Sequence, residues 1–282
     1  MLWEATAKLD WAFALSNYAK KLAEGYAQTS LEVEKGNVLA LEAAGEGTMR
    51  VTGSTFNLIL HTKPLPIELP LTIGSAIHAL RSALDTAVST LMTLARGKDD
   101  SRTNFPMHET ERELRNSFGL SERNCPDCGV PRTSKGINSP IREHLPDFET
   151  LVMETFKPWK EGNPLLWGLG KVDNINKHRM LLPTFSETAW TGTVEATFAS
   201  GARHVYDGCT WLVGPAQDVV VIEGASSIEL GEPGKFNIKF IFGGSNPFSD
   251  LDVFETLQSC IGLVEGVIKT LETHFKRGES NT

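Results

Sequence analysis

The sequence predicts an α+β fold, a helical core packed with antiparallel β-sheet, and three patterns carry that expectation. Residues 72–95 place Ile73, Ile77, Leu80, Leu84, Val88 and Leu91 at helical spacing. Residues 250–275 repeat the pattern through Leu251, Phe254, Leu257, Ile261, Val264, Ile268, Leu271 and Phe275. Near 236–242 the period drops to two. There Phe236, Ile238, Phe240 and Phe242 alternate with Asn237, Lys239 and Ile241, as a strand with one apolar face requires.

The remaining elements follow in chain order. Trp11, Leu15, Tyr18 and Leu22 predict a helix over 3–26, with Gly25 near its end. Short apolar runs between 30 and 61, broken by Gly36, Gly45, Gly47 and Gly53, predict a hairpin or small meander. Pro64, Pro66 and Pro70 then enforce an extended connector, because each disfavours helix in the residue before it. The 72–95 helix stops near Gly97, and 98–137 read as a loop insertion with a short helix at 109–118. Residues 139–157 are helical, with Ser139 as cap, Pro140 in the first turn and a break at Pro146. Pro164 opens a helix over 165–182 and Pro183 closes it. From 190 to 243 the chain turns to β, with Val219–Ile222 as a strand covered on both sides and Glu232-Pro233-Gly234 as a turn. Ser249, as cap, and Asp252 form a capping-box-like start to the last helix.

The 282 residues are read as a single domain, 1–282, with the insertion at about 98–137. A net charge of −8 argues against a general nucleic-acid binder, although Lys171, Lys177, His178 and Arg179 make a local basic patch. No apolar run approaches the ~20 residues needed to span a bilayer, so no membrane association is expected. The first residues lack the layout of a signal peptide, and four cysteines fit a reducing compartment. The expected location is the cytoplasm.

Two helices push polar groups toward the core. On a wheel, Arg179 lies about 20° and Asn176 about 40° from Val172, inside the apolar face of 165–182, with Asp173 about 100° away at its margin. Arg81 and Asp85 lie about 40° and 80° round from Ile77, and His78 runs along the same border. Unpaired buried charge is costly, so these groups predict a shared network, with Asp85 meeting Arg179 and Arg81 meeting Asp173. Arginine suits such pairs because its planar fork grips a carboxylate through two hydrogen bonds. Two readings stay open: the network locks two helices in register, or Arg81 and Arg179 await an anion with His78 or His178 moving a proton.

A resemblance attaches to the same residues. Leu80-Arg81-Ser82-Ala83-Leu84-Asp85 and Val172 to Arg179, with Phe105-Pro106 and Lys157-Pro158-Trp159 between them, resemble a group of bacterial proteins with no assigned activity. Members carry an LRSALDH helix and an NIDKHR helix. The resemblance covers about 70–183 and implies that the two helices act as one unit. The first helix is also distantly similar to the Arg-x4–6-His motif of HEPN-type ribonucleases, all-helical domains in which arginine and histidine act on phosphate without metal. This chain departs where the motif matters, because the fifth residue after Arg81 is Thr86. Arg102 and His108 match the spacing, but Pro106 interrupts the helix between them. His78 or His178 would have to stand in.

Cys125-Pro126-Asp127-Cys128-Gly129 is half of a zinc knuckle, with His108 and His144 as candidate completing ligands. Zinc at Cys125 and Cys128 is the one cofactor expectation. Cys209 and Cys260 read as core residues. There is no Walker loop, nucleophile elbow, HExxH or Rossmann fingerprint. Two functions are therefore expected. The first is binding of a small anionic or nucleotide-like ligand, or of a protein partner, at Arg81, Asp85, Asp173, Asn176, Lys177 and Arg179. The alternative is a HEPN-like metal-independent ribonuclease with His78 and His178 as catalytic groups. A homo-oligomer is open in either case.

Overall fold

The computed structural model describes the chain except residues 30, 44–48, 99–102, 121–122, 125–130, 133–135, 180–183, 214–217, 231–234 and 280–282, and side chains are described for fewer. The fold is α+β. Helix α1 (Trp3–Thr29) leads into a hairpin, β1 (Leu31–Ala43) and β2 (Met49–Thr62), followed by α2 (Glu68–Arg96). Next come α3 (Glu111–Ser117), two-residue strands β3 (Arg123–Asn124) and β4 (Pro131–Arg132), α4 (Ser139–His144) and α5 (Pro146–Thr150). A π-helical turn, Leu151–Phe156, precedes α6 (Pro164–Arg179). Four strands, β5 (Thr184–Phe198), β6 (Arg203–Val213), β7 (Asp218–Leu230) and β8 (Lys235–Phe242), lead to α7 (Val253–Glu279).

The chain divides into two compact units. One comprises Met1–Ala19, Pro70–Pro183 and Gly243–Thr282; the other comprises Lys20–Leu69 and Thr184–Phe242. The second unit carries a six-stranded antiparallel sheet in the order β1-β2-β7-β5-β6, with β8 also on β5. Strand β5 is long enough to pair with β8 through Thr184–Thr191 and with β7 through Val194–Phe198. The alternation around Phe240 behaves as the period demands: Phe240 and Phe242 are buried and Lys239 is exposed. Tyr26 meets Phe240 edge-on at 6.2 Å, and its hydroxyl donates to the Lys63 carbonyl at 2.6 Å.

In the first unit, Ile73, Ile77, Leu80, Leu84, Val88 and Leu91 of α2 are all buried. Helix α2 begins at Glu68, earlier than expected, so Pro70 lies in its first turn, where a missing N–H leaves no bond unmade. In α7 the buried stripe runs through Leu257, Ile261, Val264, Ile268 and Leu271, whereas Leu251 precedes the helix and is 46% exposed. Asp252, not Ser249, caps α7: its Oδ1 accepts from Phe254 N and Glu255 N, each at 2.9 Å. The helical reading of 139–157 breaks at Pro146 into α4 and α5, then widens into the π-helical turn and stops at Lys157 with φ 51°.

Helix α1 corrects its expectation most sharply. Its buried side is Ala5, Leu9, Ala12, Ser16, Ala19 and Ala23, while Trp11 is 61% and Tyr18 53% exposed. Small residues let a helix approach its neighbours closely, and bulk on the opposite side is left in solvent. Within the first unit, Lys8 Nζ donates to Ser82 Oγ at 2.7 Å and so places α1 beside α2.

Candidate functional site

Asp173 is the centre of the polar seam. It is 1% exposed and shares the buried side of α6 with Leu166, Leu169 and Val172, rather than sitting at its margin. Asn163 caps this helix, its Oδ1 accepting from Leu166 N at 3.0 Å, and Pro164 follows at the first position. Asp173 Oδ1 lies 3.0 Å from His78 Nδ1, and Oδ2 lies 2.6 Å from Lys177 Nζ. Both partners reach the surface, with side chains 53% and 44% exposed. A buried carboxylate is tolerable on these terms, because each oxygen meets a donor.

The chemistry of His78 follows from that contact. A carboxylate can only accept, so Nδ1 carries the proton in the neutral ring and Nε2 holds the lone pair. Nε2 has no hydrogen-bond partner among the described residues. The ring is therefore oriented from behind and open in front.

His78 opens onto a groove of about 590 Å³ within the first unit. Helix α2 supplies the floor, with Ser75, His78 and Ser82. Lys8 and Trp11 of α1 form one wall, and Asn176 and Lys177 of α6 form the other. Gly74 is what lets α6 come so close: a Cβ there would lie 2.5 Å from Asn176 Oδ1. Two ammonium groups, an amide, two hydroxyls and an aromatic face around one concavity suit an anion attached to a flat apolar body.

Arg81 and Asp85 do different work from that expected. The pairing of Arg81 with Asp173 does not form. Arg81 Nη2 instead donates to the Phe105 carbonyl at 2.8 Å and lies 2.9 Å from Asp85 Oδ1, which accepts from Phe105 N at 2.9 Å. The pair clips both polar atoms of one residue, and the Phe105 ring packs against Phe148 and Phe156 with centroids 6.1 Å away in each case. Burial raises the Asp85 carboxyl above its usual range, opposed by the Arg81 charge. Arg81 Nη1 is buried with no hydrogen-bond partner among the described residues. An arginine so engaged is not waiting for a ligand in the His78 groove.

A second cavity, of about 500 Å³, brings Arg81, Arg96 and His108 together. Burial lowers the affinity of His108 for a proton, and the nearby Glu113 charge only partly offsets it. His178 and Arg179 close α6, but their side chains, and with them the Asp85–Arg179 pairing, lie outside the described residues. Cys125, Cys128 and Arg102 also lie outside them. Among the described residues no group of three or more His, Cys, Asp or Glu is placed to hold a metal ion. Cys260 is buried, and burial pushes its thiol up to about 12; Cys209 is half-buried rather than core. Among the described residues no helix is long and apolar enough to cross a membrane.

The sequence singled out His78, Asp173, Asn176 and Lys177, and these four converge. It missed Lys8, Ser82 and the part of Trp11 in the groove, because nothing in the pattern of α1 distinguishes Lys8 from its other lysines. No protein-family model matches the chain, and no curated protein or solved structure shows a significant match.

Proposed function

We propose that the protein binds a small anionic, nucleotide-like ligand in the groove walled by α1 and α6. The observation that carries this reading is the convergence of Lys8 and Lys177 on a concavity bordered by Trp11. The lysines supply charge for a phosphate or carboxylate, Asn176 and Ser82 supply hydrogen bonds, and Trp11 offers a face for a planar ring. Asp173 tempers Lys177 and orients His78 while staying out of ligand reach. Concavity favours a small ligand over a protein partner, which would select a flatter surface.

Adenosine monophosphate, followed by calorimetry, is the probe. Wild-type protein is expected to bind it, and Lys8→Ala with Lys177→Ala together to weaken binding at least tenfold, about 1.4 kcal/mol or more. Lys269→Ala, on the exposed side of α7, serves as control. No heat with adenosine monophosphate or inorganic phosphate, or equal binding by the double variant, overturns the reading.

A second reading, a HEPN-like metal-independent ribonuclease, is favoured by the Asp173–His78 pair. A carboxylate behind Nδ1 leaves Nε2 as a general base for a ribose hydroxyl. Cleavage of labelled RNA in excess EDTA, abolished by His78→Ala, is the expected result. RNA left intact by the wild type removes this reading.

A further inference from the structure

Ser82 keeps a proton that other helical hydroxyls of this chain spend. A hydroxyl inside a helix can donate to the carbonyl one turn back, as Ser75 does to Leu71 O at 2.9 Å and Ser259 to Glu255 O at 2.8 Å. Ser82 makes no such bond to His78 O, and no acceptor among the described residues takes its proton. Its oxygen accepts instead, from Lys8 Nζ at 2.7 Å. A hydroxyl with an unspent proton beside an ammonium is poised to lose it, because the cation stabilises the alkoxide left behind. His78 stands one turn earlier on α2, so the two Cβ atoms lie about 5–6 Å apart on one face. Its Nδ1 faces Asp173 Oδ1 at 3.0 Å, which leaves the lone pair on Nε2. Both side chains line the same groove of about 590 Å³.

We propose that Ser82 is a nucleophile and that the groove hydrolyses small carboxylic esters, with His78 as the base. The inference does not rest on the nucleotide reading, since no step needs a phosphate. As Ser82 Oγ adds to the ester carbonyl carbon, its proton passes to His78 Nε2. The new Oγ–C bond gives a tetrahedral adduct whose former carbonyl oxygen carries the negative charge. Lys8 and Asn176 line the groove as donors for that oxygen. The bond from carbon to the alcohol oxygen then breaks, and Nε2–H gives its proton to the departing alcohol. In the second half a water passes a proton to Nε2 while its oxygen adds to the acyl carbon. The Oγ–C bond breaks, Ser82 regains its proton and the carboxylic acid leaves. Trp11 borders the groove and offers a flat apolar wall to the aryl or alkyl part of the ester. Serine, histidine and a carboxylate in these roles recur on unrelated folds, recognised by role rather than by place in the chain.

Hydrolysis of p-nitrophenyl acetate reads turnover, and an alkyl fluorophosphonate reads the nucleophile. With the second probe Ser82 Oγ displaces fluoride from phosphorus while its proton passes to His78, and the phosphonyl group stays attached. Wild type is expected to release p-nitrophenolate, and Ser82→Ala and His78→Ala each to lose at least about a hundredfold in kcat/KM. Ser259→Ala is the control and keeps wild-type turnover, because Ser259 is exposed on α7 with its proton already given to Glu255 O. Peptide mapping by mass spectrometry is expected to find the phosphonyl adduct on Ser82 and to lose it in His78→Ala. Far-UV circular dichroism verifies that the variants keep their helices, and the wild-type map identifies the nucleophile even where a variant fails to fold. No turnover and no adduct in the wild type, an adduct only on other residues, or turnover that survives Ser82→Ala each overturns the proposal. Calorimetry with adenosine monophosphate is scored apart. Nucleotide binding without ester turnover keeps the ligand reading and removes this one, and turnover without nucleotide binding does the reverse.

Discussion

Asp173 is the residue on which the seam turns. Its carboxylate is buried, while His78 and Lys177, which hold it, are half in water. Removing both partners leaves a buried charge with no ion-pair partner among the described residues. His78→Ala with Lys177→Ala is expected to lose about 2–4 kcal/mol, more than either alone, and adding Asp173→Asn should recover part of that loss in thermal melts. A triple variant no more stable than the double would show that the carboxylate is not the strained group. Asp85 gives a second test, through pH. Burial raises its carboxyl in the folded chain. The folded state then holds the proton more tightly than the unfolded one, so its stabilising contribution is full below the unfolded value and is lost as pH rises through the folded value. Against Asp85→Asn, which cannot titrate, wild-type melting temperature should therefore fall as pH rises from about 4 toward 7. A constant difference would contradict the raised carboxyl.

At the scale of elements, the contact of α2 with α6 depends on glycine. Gly74 faces Asn176 so closely that a Cβ would come within 2.5 Å of its amide oxygen and 2.8 Å of its nitrogen. Gly74→Ala should destabilise the protein by about 1–3 kcal/mol and open the His78 groove by pushing α6 away. Asn176→Ala in the same chain removes the clashing amide, so the double variant should lose less than the two single losses added together. Additivity would mean that the helices do not meet at this pair. The element that misled its sequence reading was α1. Trp11, Tyr18 and Leu22 formed its most hydrophobic line, yet Ala5, Ala12, Ala19 and Ala23 are what it buries. Hydrophobicity ranks side chains by size, whereas burial against close neighbours selects by fit.

For the whole molecule, ligand binding ties stability to ligand concentration. A ligand that binds only the folded chain raises its melting temperature, so adenosine monophosphate should raise that of the wild type and leave that of Lys8→Ala with Lys177→Ala nearly unchanged. Binding at a hundred times the dissociation constant adds about 2.7 kcal/mol, which thermal scans with and without the nucleotide resolve. Equal melting of the wild type in both scans would argue against the groove as a binding site.

The α+β class, the stripe of α2 and the alternation through Phe240 were legible in the chain because each is a local period, repeated often enough to survive exceptions. The polar seam was legible as to place: His78, Asp173, Asn176 and Lys177 stood out through polar groups on or beside apolar faces. Its wiring was not. Arg81 stays with Asp85, one turn away on the same helix, and clasps the peptide groups of Phe105, a residue distant in sequence. Lys8 reaches the groove only because an alanine-lined helix packs beside α2. Helical and strand periods are written in neighbouring residues, but which donor finds which acceptor depends on how elements far apart in the chain come to lie together.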